Sequence, residues 1–337
     1  KAVESDLGPQ YLKLAMKDRA GADMAITQVG YDTRSWSELL RWNATQPRPI
    51  PLMASIYIRS KGVARVFHED GVPGIRLSDE LKAWADEQAA AEDKGRAAFL
   101  EFAAKQVAVV RGMGYAGAYV AGQRNAGEID RVLSMANEFG ADWRSLLADV
   151  HYPEPGAHRL FEEGDDPQLA SDRPTAPTRM KRVPVWYRFN RLVHDVAFEP
   201  GSRGFRVGAR VYSALESARL MWPAHVLEQA VKIPMFDCKD CGDCSLPDIA
   251  YQCPEGACAK NQRNGPCGGS IDGECEVPGK PCVWAVAYDR LRPYDEAMTM
   301  LDRAPVIGDN ALRGTSAWAN TFLGRDHYAR EDQGGEA

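Results

Sequence analysis

Ile50-Pro-Leu-Met-Ala-Ser-Ile-Tyr-Ile58 is the stretch on which the fold reading turns. It is a short, almost wholly apolar run, which reads as a strand buried within a sheet. Met24-Ala-Ile-Thr27 and Tyr115 to Ala121 (YAGAYVA) have the same character. Each run precedes a helical pattern: Ser35 to Trp42, then the Ala-rich Ser78 to Val110 stretch, which reads as two helices, then Ala126 to Phe139. Repeated β-then-α units with buried strands imply an α/β class with a parallel sheet. Three units are too few to close a (β/α)8 barrel. The sheet is therefore open, or part of a barrel is missing.

The chain of 337 residues is long enough for two domains with ample core. Its 45% hydrophobic and 26% charged content is that of a folded globular protein, which excludes disordered, collagenous and coiled-coil classes for the whole. The net charge of −6 offers no global support for nucleic-acid binding. No apolar run approaches the roughly 18 residues needed to cross a bilayer. The opening Lys1-Ala-Val-Glu-Ser-Asp6 has neither an initiator Met nor a secretory hydrophobic core. The expectation is a cytoplasmic protein, without membrane or nucleic acid as partner, whose chain begins partway through a longer gene product.

All eight cysteines fall within one segment: Cys238, Cys241, Cys244, Cys253, Cys258, Cys267, Cys275 and Cys282. Disulfides are disfavoured, because two-residue spacings strain direct bridges and the compartment reads as reducing. The same spacing lets neighbouring thiolates converge on one metal, and eight ligands suffice for two four-thiolate sites. Three cysteines as CxxCxxC with a later Cys253-Pro254 favour [4Fe-4S] clusters over structural zinc, although the gap from Cys244 to Cys253 is longer than in ferredoxins. Interspersed glycines such as Gly242, Gly268 and Gly269 permit the tight turns either metal needs. The segment holds more acids than bases, which disfavours a nucleic-acid zinc finger.

From Ala141 to Pro184 the composition shifts to Pro, Asp, Glu, Gly and Ser and reads as an inter-domain connection. A basic, aromatic segment follows, with Arg179, Lys181, Arg182, Trp186, Arg188 and Phe189. In an acidic chain it reads as a docking element for the cysteine module rather than a surface for stacked bases. Residues 204–231 read as a helical lead-in, and the end of the chain as a polar, frayed tail.

Gly21-Ala-Asp-Met-Ala-Ile-Thr-Gln28, followed by Tyr31-Asp32, resembles a late barrel strand of the methylenetetrahydrofolate reductase family. Cys241-Gly-Asp-Cys244, Asn264-Gly-Pro-Cys-Gly-Gly269, Asp272-Gly-Glu-Cys-Glu276 and Cys282-Val-Trp284 resemble the Cys-rich module fused to, or partnered with, some bacterial reductases of that family. The resemblance implies a partial (β/α)8 TIM barrel over 1–145 made of the last βα units. A connection over 146–184, a small Cys-rich metal-binding module with its helical lead-in over 185–325, and a polar tail over 326–337 would follow. It implies a flavin-dependent oxidoreductase of one-carbon metabolism that reduces 5,10-methylenetetrahydrofolate to 5-methyltetrahydrofolate with FAD.

By that resemblance Gln28 contacts the pterin of a tetrahydrofolate-type substrate, and its carboxamide suits a lactam and amino edge. Gln123, after Gly122, falls where family members touch the folate tail, and Lys17 where they hold a flavin phosphate. The family's general acid and most flavin contacts lie on earlier strands that this sequence does not contain, so no catalytic residue is assigned. A missing barrel half, from the same gene product or a second polypeptide, and an electron-donor protein are implied partners. The competing readings are a non-catalytic accessory subunit and a folate-dependent methyl-transfer protein.

Overall fold

The computed structural model describes all residues of the chain except 70, 73, 177 and 330–337. The chain divides into two compact units: Lys1–Glu4 with Gly21–Pro177, and Ser5–Ala20 with Thr178–Ala337. Helix α1 (Glu4–Arg19) opens the chain yet lies almost wholly in the second unit. A sequence division at 145 puts it with the strands. Contacts far along the chain, given below, place it otherwise.

The first unit is built on strands β1 (Ala25–Ile26), β2 (Leu52–Tyr57) and β3 (Gly117–Ala121). They form one parallel sheet in the order β1-β2-β3. Helix α2 (Thr33–Ala44) links β1 to β2, and α3 (Lys61–His68), α4 (Asp79–Gln88) and α5 (Arg96–Met113) link β2 to β3. Helix α6 (Ala126–Glu138) follows β3. The sheet and its crossovers are as the apolar runs predict; α3 is an addition. Helix starts are set by side-chain caps: the Asp32 carboxylate accepts from the Arg34 and Ser35 N–H groups, and Ser60, Ser78 and Asn125 cap α3, α4 and α6.

One face of β2 carries Leu52, Ala54 and Ile56, all under 3% exposed, with α5 packed on β2 and β3. Burying those side chains contributes to this unit's drive to fold, together with the apolar residues of α5 such as Phe99, Leu100 and Val109. The register puts Met24, Ile26, Met53, Ser55, Tyr57 and Tyr119 on the other face. Met24, Ile26 and Tyr119 are 45%, 50% and 53% exposed. A parallel sheet normally has both faces covered, so this face is incomplete within the unit. At the exit of β3, Gly122 has φ +82°, and a Cβ there would sit 2.5 Å from the Ile58 carbonyl. Only glycine fits that turn.

The acidic segment read as a connection is folded. It holds α7 (Leu147–Val150) and an antiparallel pair, β4 (Phe161–Glu163) and β5 (Ala170–Pro174), which packs on α2. The buried Glu38 carboxylate accepts from the Leu160 and Phe161 N–H groups, and Ser37 Oγ accepts from Ala170 N–H. Charged residues are tolerated there because the pair buries only its inner edge.

The second unit contains α8 (Val185–Val193), α9 (Arg203–Ser217), α10 (Met221–Phe236), α11 (Pro254–Ala257), α12 (Val283–Leu291) and α13 (Ala317–Phe322). Its core joins Leu12 and Met16 of α1 to Tyr187, Ile249, Trp284 and Leu301. Helices α8 to α10 keep large apolar side chains exposed, among them Val185 (78%), Trp222 (75%) and Leu227 (65%). The polar tail reading fails at its start: Asp326 and His327 are buried. The rest of the tail, residues 330–337, lies outside the described residues.

Candidate functional site

Two groups of residues could carry chemistry, one in each unit. In the first unit a cavity of about 530 Å³ opens at the carboxyl ends of the strands. Gln28 and Val29 follow β1, Ser55 and Tyr57 come from β2, and Tyr119 and Ala121 from β3. Val63, Val66 and Phe67 of α3 close one side. Carboxyl ends of parallel strands are where α/β proteins place ligands, because loops there diverge and leave a crevice. Gln28 Oε1 already accepts the Val29 N–H at 3.0 Å, which leaves its amide N–H groups as donors toward a ligand carbonyl. Ser55 N–H donates to Thr27 Oγ1 at 3.1 Å, tying β1 to β2 beside the cavity.

Of the other residues singled out, Gln123 is exposed past the Gly122 turn and does not line this cavity. Lys17 stands exposed on α1 in the second unit and lines none of the three cavities described here. The structure therefore places Gln28 in a cavity and brings neither Lys17 nor Gln123 to it.

In the second unit Cys238, Cys241, Cys244 and Cys253 line one small cavity with Lys232 and Arg263. Backbone N–H groups point at the sulfurs. Asp240 N–H donates to Cys238 Sγ at 3.4 Å, Leu246 N–H to Cys244, and Gly256 and Glu255 N–H to Cys253. Such donors favour thiolate over thiol and tune any metal bound to it. Cys241 Sγ instead donates to the Asp243 carbonyl at 3.2 Å. Burial pushes the Cys253 thiol up to about 11 against those backbone donors, and raises Cys238 and Cys244 too.

Lys232 Nζ lies 3.6 Å from Cys244 Sγ and donates to Glu228 Oε1 at 2.9 Å. Burial opposes its charge, yet the Cys244 sulfur and the Glu228 carboxylate hold its pKa up. Glu228 is fully buried and also accepts from Ser316 Oγ at 2.6 Å. Sequence patterns could not single out this pair, since a Glu and a Lys four apart on a helix are usually a solvated couple.

The other four cysteines sit on turns of the following loop. Gln262, Gly269 and Val277 N–H groups donate to Cys258, Cys267 and Cys275 sulfurs at 3.5, 3.4 and 3.4 Å. Trp284 and Ala285 N–H groups serve Cys282, whose sulfur also senses Cys267. Helix α1 fastens this loop: Lys13 Nζ donates to the Pro266 carbonyl at 2.6 Å, and the Asp6 carboxylate accepts Gly273 N–H at 3.1 Å. All eight cysteines are free. Among the described residues no three His, Cys, Asp or Glu side chains are drawn together closely enough to hold a metal ion.

A buried ionic clamp covers the first cysteine loop. His327 Nδ1 is 2.5 Å from Asp243 Oδ1 and its Nε2 is 3.1 Å from Asp248 Oδ2. Burial works against its charge, but the two carboxylates hold its pKa up at about 9. In turn, His327 and the Asp309 N–H hold Asp243 down at about 2 despite burial.

Neither the curated proteins nor the solved structures offer a match to this chain. Residues 221–307, which run from α10 through all eight cysteines, match the family model described as methylene-tetrahydrofolate reductase C terminal, so that segment is similar to the C-terminal part of methylenetetrahydrofolate reductase.

Proposed function

We propose that this chain is the cysteine-bearing component of a methylenetetrahydrofolate reductase-like oxidoreductase, which reduces 5,10-methylenetetrahydrofolate to 5-methyltetrahydrofolate with flavin. The family match over 221–307, across a run of eight cysteines, is the observation that carries the reading. The first unit is then the last βα units of a (β/α)8 barrel, and its bare sheet face is the face that further strands cover.

In this reading the pterin lies in the cavity at the strand ends. Gln28 donates its amide N–H groups to the lactam carbonyl, and the Tyr57 and Tyr119 rings flank the heterocycle. The apolar wall from α3 excludes water from the ring. The flavin supplies the hydride chemistry when bound. Lys17 alone does not make a site for it, so the flavin and the general acid belong to the polypeptide that completes the barrel.

The cysteines fit a metal by donor chemistry. Cys238, Cys241, Cys244 and Cys253 would hold one centre, and Cys258, Cys267, Cys275 and Cys282 a second. The first four thiols line one cavity with backbone N–H donors on their sulfurs, the donor chemistry that clusters and thiolate zinc sites share, and holding an ion would require those sulfurs to move closer together. [4Fe-4S] clusters would relay electrons from a donor protein, whereas zinc would brace the fold.

The exposed sheet face and the bare apolar residues of α8 to α10 favour a second reading, an accessory subunit that works only in complex. Anaerobic purification of residues 1–337 with metal, sulfide and flavin analysis tests both. Iron with acid-labile sulfide and no turnover until a barrel-completing subunit is added is the expected result. Stoichiometric zinc in colourless protein would leave only the structural role for the cysteines. Turnover by the chain alone would show that its site is already complete.

A further inference from the structure

A cavity of about 630 Å³ lies within the second unit, apart from the strand-end cavity. Its walls include a run of rings: Phe189, Phe198, Phe205, Phe236, Trp318 and Phe322. The Phe198 and Phe322 rings stack with centroids 5.1 Å apart, and Phe198 meets Trp318 at 6.0 Å. A concave cleft, open on one side and lined by rings among polar groups, has the character of a small-molecule site.

Polar groups are interspersed among the rings, with His194, Tyr251 and Thr321 able to donate or accept and two cationic side chains among the donors. Lys232 Nζ donates to Glu228 Oε1 at 2.9 Å, and Arg303 lies over the Tyr328 ring at 4.6 Å. Both line the cavity, as does Asn190. Apolar walls penalise a desolvated net charge on a ligand, so the complement to these donors is a neutral acceptor edge on a flat ring. Asp326, 1% exposed, also lines the cavity and keeps its Oδ2 without a hydrogen-bond partner. Cys244 and Lys232 also line the four-cysteine cavity, so a molecule bound here would border the first cysteine group.

We propose that this cavity binds a flat conjugated ring with a carbonyl edge, the chemistry shared by the isoalloxazine of flavins and by quinones. The inference stands apart from the folate reading and from the identity of any metal. It can hold if both of those fail.

Riboflavin, followed by its fluorescence, and 2,3-dimethyl-1,4-naphthoquinone, followed by calorimetry, are titrated into the whole chain. The carbonyl-free 2,3-dimethylnaphthalene serves as control. At least one carbonyl-bearing probe should saturate, and the hydrocarbon should bind about tenfold more weakly or worse. Val193→Trp fills the cavity from an exposed position on α8, and Phe189→Ala removes a half-exposed wall. Each should weaken binding about tenfold with thermal unfolding unchanged. Riboflavin alone binding assigns the flavin source, and the quinone alone assigns the other. The proposal is overturned by no saturable binding of either probe, by equal affinity for the hydrocarbon, or by binding that neither variant moves.

Discussion

Replacing Arg59 by methionine should stabilise the first unit. The residue lies two positions past β2 and is 1% exposed; neither Nη1 nor Nη2 makes a hydrogen bond of ordinary geometry, and the Tyr31 hydroxyl is the polar group that most favours its charge. Its guanidinium sits among rings, 4.0 Å from the Phe102 centroid, 4.6 Å from Tyr31 and 5.5 Å from Trp84. Burial pushes its pKa down, the direction expected of a charge taken from water without a counter-ion. Each unsatisfied nitrogen costs about 1–3 kcal/mol, and the buried charge adds to that. Cation–π attraction returns about 2 kcal/mol when desolvated. Methionine keeps the stem packed on the same rings and removes the charge, so a gain of about 1–3 kcal/mol is expected. Arg59→Ala loses the packing as well and should not gain. Hydrogen exchange of the β2 amides reads this unit without interference from the other. A methionine variant less stable by 1 kcal/mol or more would refute the argument and imply a partner for the guanidinium.

Gln28→Ala should weaken tetrahydrofolate binding by about 1–3 kcal/mol, since it leaves a ligand edge unpaired, and calorimetry showing unchanged affinity would remove Gln28 from the site. Cys241→Ser should lower metal content and melt the second unit before the first in calorimetry, because a glycine-rich loop needs its metal to fold; equal metal content would argue against Cys241 as a ligand. The His327 clamp should make the second unit pH-sensitive. A histidine pKa of about 9, above the unfolded value near 6.5, gives stability fully present below pH 6.5 and lost as pH rises through 9, about 3 kcal/mol in all. Asp243, at about 2, contributes above its unfolded pKa and is lost as pH falls through 2, so denaturant unfolding should be most resistant between about pH 4 and 6.5 and His327→Gln should flatten the alkaline limb. Gly122→Ala should cost about 1–3 kcal/mol from its positive φ and the Ile58 carbonyl, read as a lower unfolding temperature.

The sheet was legible because buried parallel strands announce themselves locally: Leu52 to Tyr57 needs no distant residue to be recognised as apolar and extended. The paired strands Phe161–Glu163 and Ala170–Pro174 were not, because they are ordered by backbone N–H groups of Phe161 and Ala170 donating to Glu38 and Ser37, more than 120 positions away. Cysteine spacing singled out the thiols, since adjacency along the chain is itself the signal, but among the described residues no three of them are drawn together on one ion. The ring-lined cavity draws on Phe189, Lys232, Tyr251 and Trp318, and no short window of sequence holds them together. Arg59 escaped for the same reason, since its cage comes from α4, α5 and the segment before α2. Lys17 and Gln28 are eleven positions apart, yet α1 turns to the second unit while β1 stays in the first.

That first helix has a consequence for synthesis. Leu12 and Met16 are made early, but the residues they bury against, from Tyr187 to Leu301, come only after the whole first unit has been translated. The helix emerges from the ribosome with its apolar side unmatched and waits while the intervening unit folds. At about 5–20 residues per second that wait lasts on the order of ten seconds or more, long enough for a chaperone to be its first partner. Cutting the chain before Thr178 to isolate the cysteine module would strip away Leu12, Met16, Lys13 and Asp6 together. A fragment that begins there should aggregate, and restoring residues 5–20 in trans as a peptide should rescue it.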